Sequence, residues 1–154
     1  MKLIAHRSNI EGQSEKENSP EQIDKCINLG YDVEIDIRYD KVTKIFSLGH
    51  DKPQYQITLE WLINRSEYLW IHCKNIDSLY IFSSNTLCNF NYFWHQEDDF
   101  TLTSNNYIWT YPGKPYTSRS IIVMPETFIN LNELSTFKSY DCYGICSDYV
   151  SQLK

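Results

Sequence analysis

Short apolar runs separated by polar turns follow one another along the chain, and their spacing predicts strands that alternate with helices. Residues 3–5 form the first run, which is typical of a strand buried in a covered sheet. Residues 33–37 alternate strictly between apolar and acidic side chains. This alternation predicts a second strand with Glu34 and Asp36 on one face.

A helix is predicted between these two strands, because Ser19 and Pro20 are typical of an N-cap and a first helical position, and Gly30 of a helix end. The same kinds of pattern predict the remaining elements. Strands are predicted in residues 43–51, 68–75, 89–99, 106–115, 120–126 and 143–150. Helices are predicted in residues 58–66, 77–85 and 132–137, the first of them with Thr58 as its N-cap.

The order of these elements predicts an α/β fold, because strands that alternate with helices form right-handed crossovers and a parallel sheet. The later strands begin near residues 69, 89, 107, 120 and 143, too close together for a full helix in every connection. A complete (β/α)8 barrel takes ~250 residues. We therefore expect one domain over residues 1–154, a reduced or incomplete TIM-type (β/α) barrel with mainly parallel strands and several shortened crossover helices.

Composition narrows the choice of partners and compartment. The 20 acidic and 14 basic residues give a net charge of −6, so we expect no nucleic-acid partner. No basic stretch precedes an apolar run at the N-terminus and no window approaches ~20 apolar residues, so we expect neither a signal peptide nor a membrane span. The five cysteines lack C-x-x-C spacing and indicate reduced thiols in a cytoplasmic protein, although Cys142 and Cys146 form a weak C-x-x-x-C zinc signal.

Groups that transfer protons or bind metals and phosphates stand in or near the ends of the predicted strands. They are the histidines His6, His50, His72 and His95, the carboxylates Glu17, Glu34 and Asp36, and the cations Arg7 and Lys74. In a parallel barrel, the C-terminal strand ends converge on one face. Histidines there can act as acid and base, carboxylates can hold a divalent cation, and Arg and Lys can neutralise phosphoryl oxygens.

Several of these features also have a purely structural interpretation. Glu34 and Asp36 can form the solvated face of an edge strand, and His72 can be a core histidine with a satisfied hydrogen bond. The acidic residues 97–99 are more typical of a solvated loop than of a metal site. The coincidence of so many such groups at one edge of one sheet favours a functional site.

Five motifs in the first half of the chain follow one another in an order that resembles the glycerophosphodiester phosphodiesterase family, whose members are PLC-like phosphodiesterases on a TIM-type barrel. The motifs are "IAHR" at residues 4–7, "EN" at 17–18, "VEIDI" at 33–37, "GHD" at 49–51 and a strand ending in Lys74. The resemblance covers roughly residues 3–75. Near the C-terminus, Ser147 and Asp148 are similar to the Thr-Asp that closes the family's last strand.

The resemblance implies a role for each matching residue. The acid/base pair would be His6 and His50, the phosphate-binding residues Arg7 and Lys74, and the ligands of one Mg²⁺ or Ca²⁺ ion Glu17, Glu34 and Asp36. It also implies the family's usual route, in which a neighbouring substrate hydroxyl attacks phosphorus and water then opens the cyclic product.

The chain departs from the family pattern in three places. His72 stands where the family has a glutamate ligand, and an imidazole ligand favours Mn²⁺ or Zn²⁺ over Ca²⁺, so we count His72 as a metal ligand. Ser8 replaces the glycine that usually follows His-Arg. The chain is also about 100 residues shorter than a typical barrel, so parts of the wall that grips the substrate are missing.

The leading hypothesis is a metal-dependent phosphodiesterase-like hydrolase that acts on a small glycerophosphodiester or a related phosphodiester. The alternative is a non-catalytic or repurposed barrel that binds a phosphorylated sugar or a lipid headgroup. A third hypothesis keeps an enzyme but has His72 and His95 act on a sugar phosphate beside Trp94 and Glu97. Apolar strand surface left uncovered by missing helices favours a homodimer.

Overall fold

The structure is a computed structural model that describes residues 1–84 and 88–154. The strands are β1 (Lys2–Ala5), β2 (Asp32–Asp40), β3 (Ile45–Leu48), β4 (Tyr55–Ile57), β5 (Leu69–Cys73), β6 (Asn91–Phe93), β7 (Phe100–Leu102), β8 (Ile108–Thr110), β9 (Ser120–Val123) and β10 (Gly144–Ser147). The α-helices are α1 (Pro20–Asn28), α2 (Leu59–Ile63) and α3 (Ile76–Ser84). Short 3₁₀ helices span His6–Ser8, Pro125–Thr127, Leu131–Ser139 and Val150–Leu153.

Most elements lie where the hydrophobic pattern predicts them. Helix α1 begins after Ser19, whose side chain accepts a hydrogen bond from Gln22 N at 3.2 Å. Helix α2 begins after Thr58, whose hydroxyl accepts one from Trp61 N at 3.1 Å. Helix α3 confirms the helix predicted over residues 77–85, except that position 85 lies outside the described residues. Strands β4 and β7 have no predicted counterpart.

Seven strands run parallel side by side, in the order β6-β5-β2-β1-β10-β9-β8. The register places Asp36 of β2 opposite His72 of β5. Strand β2 is nine residues long, and residues 37–40 at its end pair antiparallel with β3. Strand β4 pairs antiparallel with β3, and β7 pairs antiparallel with β8.

The predicted TIM-type (β/α) barrel is wrong. The sheet is mixed and curls into a half-barrel, and within residues 1–84 and 88–154 no strand pairing joins β6 to β7 or β8. The connections explain the difference. Residues 111–119 between β8 and β9 are fewer than the dozen or so that a helical crossover needs, and residues 94–107 between β6 and β8 contain β7 instead of a helix.

The two faces of the curled sheet bury different side chains. The face covered by the helices carries the apolar residues 33, 35 and 37 of β2 in the largest core cluster. The concave face holds a second cluster that includes Trp70 and Trp109. Because side chains alternate along a strand, Glu34 and Asp36 lie on the concave face, near the C-terminal ends of the parallel strands.

The remaining general predictions have mixed outcomes. No helix in the described ranges, 1–84 and 88–154, is long and apolar enough to cross a lipid bilayer. The five cysteines are free thiols. Among the same residues, the one group of His, Cys, Asp and Glu side chains close enough to share a metal ion does not include Cys142 or Cys146. The single domain and the homodimer stay predictions.

Candidate functional site

Two buried carboxylates and a histidine face one another on the concave side of the sheet. Glu34 and Asp36 are 1% and 0% exposed. His72 Nδ1 lies 3.5 Å from Glu34 Oε1 and 3.3 Å from Asp36 Oδ1. One ligand atom from each of the three residues lies within 4.8 Å of the others. We call this cluster the donor set.

Besides His72, three polar side chains lie around the Asp36 carboxylate. Asn18 Nδ2 donates to Asp36 Oδ2 at 3.0 Å, and Asp36 N donates to Asn18 Oδ1 at 2.9 Å. Arg7 Nε lies 3.2 Å from Asp36 Oδ2, and Lys74 Nζ lies 3.8 Å from Asp36 Oδ1. Burial alone would raise the pKa of Asp36, but His72 and Arg7 hold that pKa well below its usual range. Asp36 is therefore an anion at neutral pH.

His72 is held in one orientation. Its Nε2 donates a hydrogen bond to the backbone carbonyl of His95 at 2.9 Å, and its ring stacks on Phe93 with the centroids 4.9 Å apart. Burial lowers the pKa of His72, but Asp36 and Glu34 outweigh burial and raise the pKa to about 9. In the absence of a bound cation, His72 is therefore protonated at neutral pH.

His6 and Arg7 leave β1 through a left-handed turn in which Arg7 has a φ of 48°. This turn directs Arg7 N to Glu34 Oε2 at 3.0 Å. His6 Nδ1 lies 2.7 Å from Asp148 Oδ1, and His6 Nε2 lies 4.0 Å from Glu34 Oε2, beyond hydrogen-bond distance. Burial lowers the pKa of His6, but the hydrogen bond with Asp148 and the charge of Glu34 raise it above its ordinary value.

Asp148 lies next to the end of β10 and belongs to the site. The spacing of residues along the sequence does not by itself identify it as a site residue. Its Oδ1 also accepts a hydrogen bond from Asn9 Nδ2 at 2.9 Å, and its backbone N donates to Glu126 Oε1 at 2.7 Å. Burial would raise the pKa of Asp148, but the hydrogen bond with His6 lowers it overall. The available signal was an acidic residue at the end of the last predicted strand. Asn9 and Glu126 carry no spacing signal.

The turn after β3 brings His50 to the same region. Gly49 in this turn has a φ of 140°, which glycine adopts far more readily than other residues. Arg38 Nη2 donates to the His50 carbonyl at 2.6 Å, and Arg38 Nε donates to the Gly49 carbonyl at 3.4 Å. His50 Nδ1 lies 2.8 Å from Asp51 Oδ1, and its side chain is 36% exposed. His50 is therefore more accessible to solvent than His6.

Glu17 and Lys74 lie beside the donor set. Glu17 Oε1 accepts a hydrogen bond from Asn9 Nδ2 at 2.8 Å, and Glu17 Oε2 lies 3.5 Å from Arg7 Nη1. The Glu17 carboxylate is not a member of the donor set, so its predicted role as a metal ligand stays a prediction. The Lys74 side chain is 16% exposed and lines the same cavity as the histidines.

Many of the groups described above line one cavity of about 720 Å³. The lining includes the polar residues His6, Arg7, Glu34, His50, His72 and Lys74, and also Trp94, His95, Trp109 and Tyr111. In the acidic stretch 97–99, Asp99 Oδ1 lies 2.8 Å from Lys114 Nζ, which supports the interpretation of this stretch as a solvated loop. The lining therefore combines proton-transfer groups, cations, two residues of the donor set and aromatic rings.

Comparisons of the chain with protein-family models, with curated proteins and with solved structures found no match. The resemblance of the sequence motifs to the phosphodiesterase family is therefore a proposal, and the geometry of the cavity has to support any function on its own.

Proposed function

We propose that this chain is a metal-dependent, phosphodiesterase-like hydrolase that cleaves a small phosphodiester. The observation that carries the proposal is that His6, backed by Asp148, and His50 line the same cavity as Arg7 and Lys74. Two histidines and two cations around one cavity suit a reaction that moves protons while negative charge develops on phosphoryl oxygens. The motif order in residues 3–75 supports the same chemistry.

The histidines would share the proton transfers. Asp148 orients the His6 ring through Nδ1, so that Nε2 can exchange a proton with the substrate. A pKa above its ordinary value makes the His6 ring more basic than a free imidazole. His50, which is more exposed, would handle the second proton, and Arg7 would hold the phosphate through its planar guanidinium.

The donor set fits one divalent cation. It offers two buried carboxylates and one imidazole, and Asp36 Oδ1 is a buried oxygen without a hydrogen-bond partner among the described residues. When bound, the cation would stabilise charge on a phosphoryl oxygen as a Lewis acid. Asn18 holds Asp36 in place by one hydrogen bond to its carboxylate and by accepting another from its backbone N.

The test is hydrolysis of bis(p-nitrophenyl) phosphate and of glycerophosphocholine with Mg²⁺, Ca²⁺, Mn²⁺ or Zn²⁺. We expect turnover that depends on the cation, and a loss of about 10²–10⁴-fold in His6→Ala and in His50→Ala. Wild-type turnover in His6→Ala contradicts the proposal.

A matched pair of carboxylate variants provides the control. Asp36→Asn removes charge from the donor set and should abolish the effect of added cation. Asp24→Asn removes a carboxylate that pairs with Arg65 at 2.6 Å, away from the cavity, and should leave turnover unchanged. Binding of a phosphorylated sugar or headgroup without any turnover would instead support the non-catalytic alternative.

A further inference from the structure

The orientation of His72 determines which atom it presents to the donor set. In a neutral imidazole, one ring nitrogen carries the proton and the other carries a lone pair. Because Nε2 donates to the His95 carbonyl at 2.9 Å, the lone pair of neutral His72 is on Nδ1. Nδ1 is the atom that faces Glu34 and Asp36, at 3.5 and 3.3 Å. A backbone carbonyl that fixes the tautomer in this way is typical of histidines that bind metals.

Stacking adds a second restraint on the same ring. The planes of His72 and Phe93 differ by 16°, and their centroids are 4.9 Å apart. The imidazole therefore cannot swing away from the two carboxylates without losing both the stack and the hydrogen bond. The nitrogen ligand is held in position before an ion binds.

The positive charges of neighbouring side chains weaken the binding of an ion that is held only by its charge. Arg7 Nε and Lys74 Nζ lie 3.2 and 3.8 Å from Asp36 oxygens, so they compete with a cation for that carboxylate. Ca²⁺ takes six to eight oxygen ligands, and Mg²⁺ prefers an octahedral shell of oxygens. Of the nearby amide oxygens, Asn18 Oδ1 already accepts a hydrogen bond from Asp36 N.

We propose that the donor set formed by Glu34, Asp36 and His72 selects a first-row transition-metal dication, Zn²⁺ or Mn²⁺, over Mg²⁺ and Ca²⁺. Imidazole suits Zn²⁺ and other transition metals, whereas Mg²⁺ and Ca²⁺ take carboxylate, carbonyl and water ligands. The fixed nitrogen thus supplies the interaction that discriminates between the two groups of ions. This inference rests on the proposed function in one respect: it concerns the same metal site and states which ion that site binds.

The experiment is isothermal titration calorimetry of the metal-free chain with the chlorides of Zn²⁺, Mn²⁺, Mg²⁺ and Ca²⁺ separately. We expect one ion per chain, with Zn²⁺ bound most tightly, Mn²⁺ next, and both at least about tenfold tighter than Mg²⁺ and Ca²⁺. Binding of Mg²⁺ or Ca²⁺ that is as tight as, or tighter than, that of Zn²⁺ and Mn²⁺ overturns the inference. A result in which none of the four ions binds also overturns it.

Two substitutions at His72 assign the preference to the imidazole. In His72→Gln and His72→Glu an oxygen replaces the nitrogen ligand. Loss of a residue that only hydrogen-bonds to a metal ligand already lowers metal affinity ~10–100-fold, so the affinity for Zn²⁺ should fall by at least this factor. His72→Glu should also bring Mg²⁺ and Ca²⁺ level with Mn²⁺. Circular dichroism verifies that each variant is folded. The ion affinities of the better-folded variant are the ones compared with those of the wild type.

A matched control separates this site from other zinc-binding groups. His95→Ala removes another imidazole of the cavity but keeps the backbone carbonyl that orients His72, so the order of ion affinities should not change. Unchanged Zn²⁺ affinity in the folded His72 variant means that zinc binds elsewhere, for example at Cys88 or Cys142, and overturns the inference.

The calorimetric result is independent of the hydrolysis assay. Hydrolysis that works best with Mg²⁺ or Ca²⁺, together with tighter binding of those ions, keeps the proposed function and removes this inference. Selective Zn²⁺ and Mn²⁺ binding without hydrolysis of any diester keeps this inference and removes the proposed function.

Discussion

His72 makes the stability of the metal-free protein depend on pH, and the size of the effect follows from its surroundings. Asp36 and Glu34 raise the pKa of His72 from 6.5 to about 9 against the opposing effect of burial. At about 1.36 kcal/mol for each pKa unit, this difference corresponds to roughly 3 kcal/mol. The side chain is only 14% exposed, so solvent screening reduces this value little.

The direction of the effect follows from the sign of the pKa change. The folded protein holds the His72 proton more tightly than the unfolded chain does. The stabilisation is therefore fully present below the unfolded pKa of 6.5 and is lost as the pH rises through the folded pKa of about 9. The cost of removing the imidazole should therefore be roughly 3 kcal/mol larger at pH 6 than at pH 9.5.

The assay is urea unfolding followed by tryptophan fluorescence, with a chelator present, for the wild type and His72→Gln at both pH values. Other groups whose pKa values are raised, such as His6 and Cys73, are common to both proteins, so their contributions cancel in the difference. Asp24→Asn, a variant of an ion pair away from the cavity, should show an offset that does not change with pH. A wild-type minus His72→Gln difference that is the same at pH 6 and pH 9.5 would refute the reasoning.

Further predictions concern Asp148, which orients His6, Gly49 in the turn that carries His50, and the proposed phosphate-binding residue Arg7. Asp148→Asn should leave the protein folded but lower kcat by about 10²–10⁴-fold, because it no longer fixes the His6 tautomer; near-wild-type kcat speaks against a positioning role. Gly49→Ala places a Cβ against the Lys52 carbonyl at a φ of 140°, so thermal unfolding should show a loss of about 1–3 kcal/mol, and an unchanged Tm would contradict this. Arg7→Lys keeps the charge but loses the planar guanidinium, and the KM for a diester should rise about tenfold; an unchanged KM would show that Arg7 does not hold the phosphate.

The local elements could be predicted because the patterns behind them involve neighbouring residues. The alternation over residues 33–37 depends only on the two-residue repeat of an extended chain, and it placed Glu34 and Asp36 on one face. The start of α1 depends on Ser19, three residues from the backbone group that it caps. The placement of His72 opposite Asp36 did not follow from these local patterns, because it requires the parallel pairing of β2 with β5.

The arrangement of the strands could not be predicted in the same way. A strand in residues 43–51 was expected, but the sequence does not state which neighbour it pairs with. In the structure, Lys44 adopts a φ of 63° and its N donates to the Asp40 carbonyl at 2.8 Å, so the chain reverses and β3 pairs antiparallel with the end of β2. That hairpin and the antiparallel β7 are what make the sheet mixed, and the short connections leave it an open half-barrel.

The sequence by itself determined the identity of the chemical groups and the elements that carry them, including the imidazole at position 72 between two apolar neighbours. Only the tertiary structure decided which of these groups meet. Asp148 lies 2.7 Å from His6 although 142 residues separate them, because β10 pairs in parallel with β1. The physical reason is that side-chain periodicity is a property of the local backbone, whereas the partner of a strand depends on long-range packing of the whole sheet.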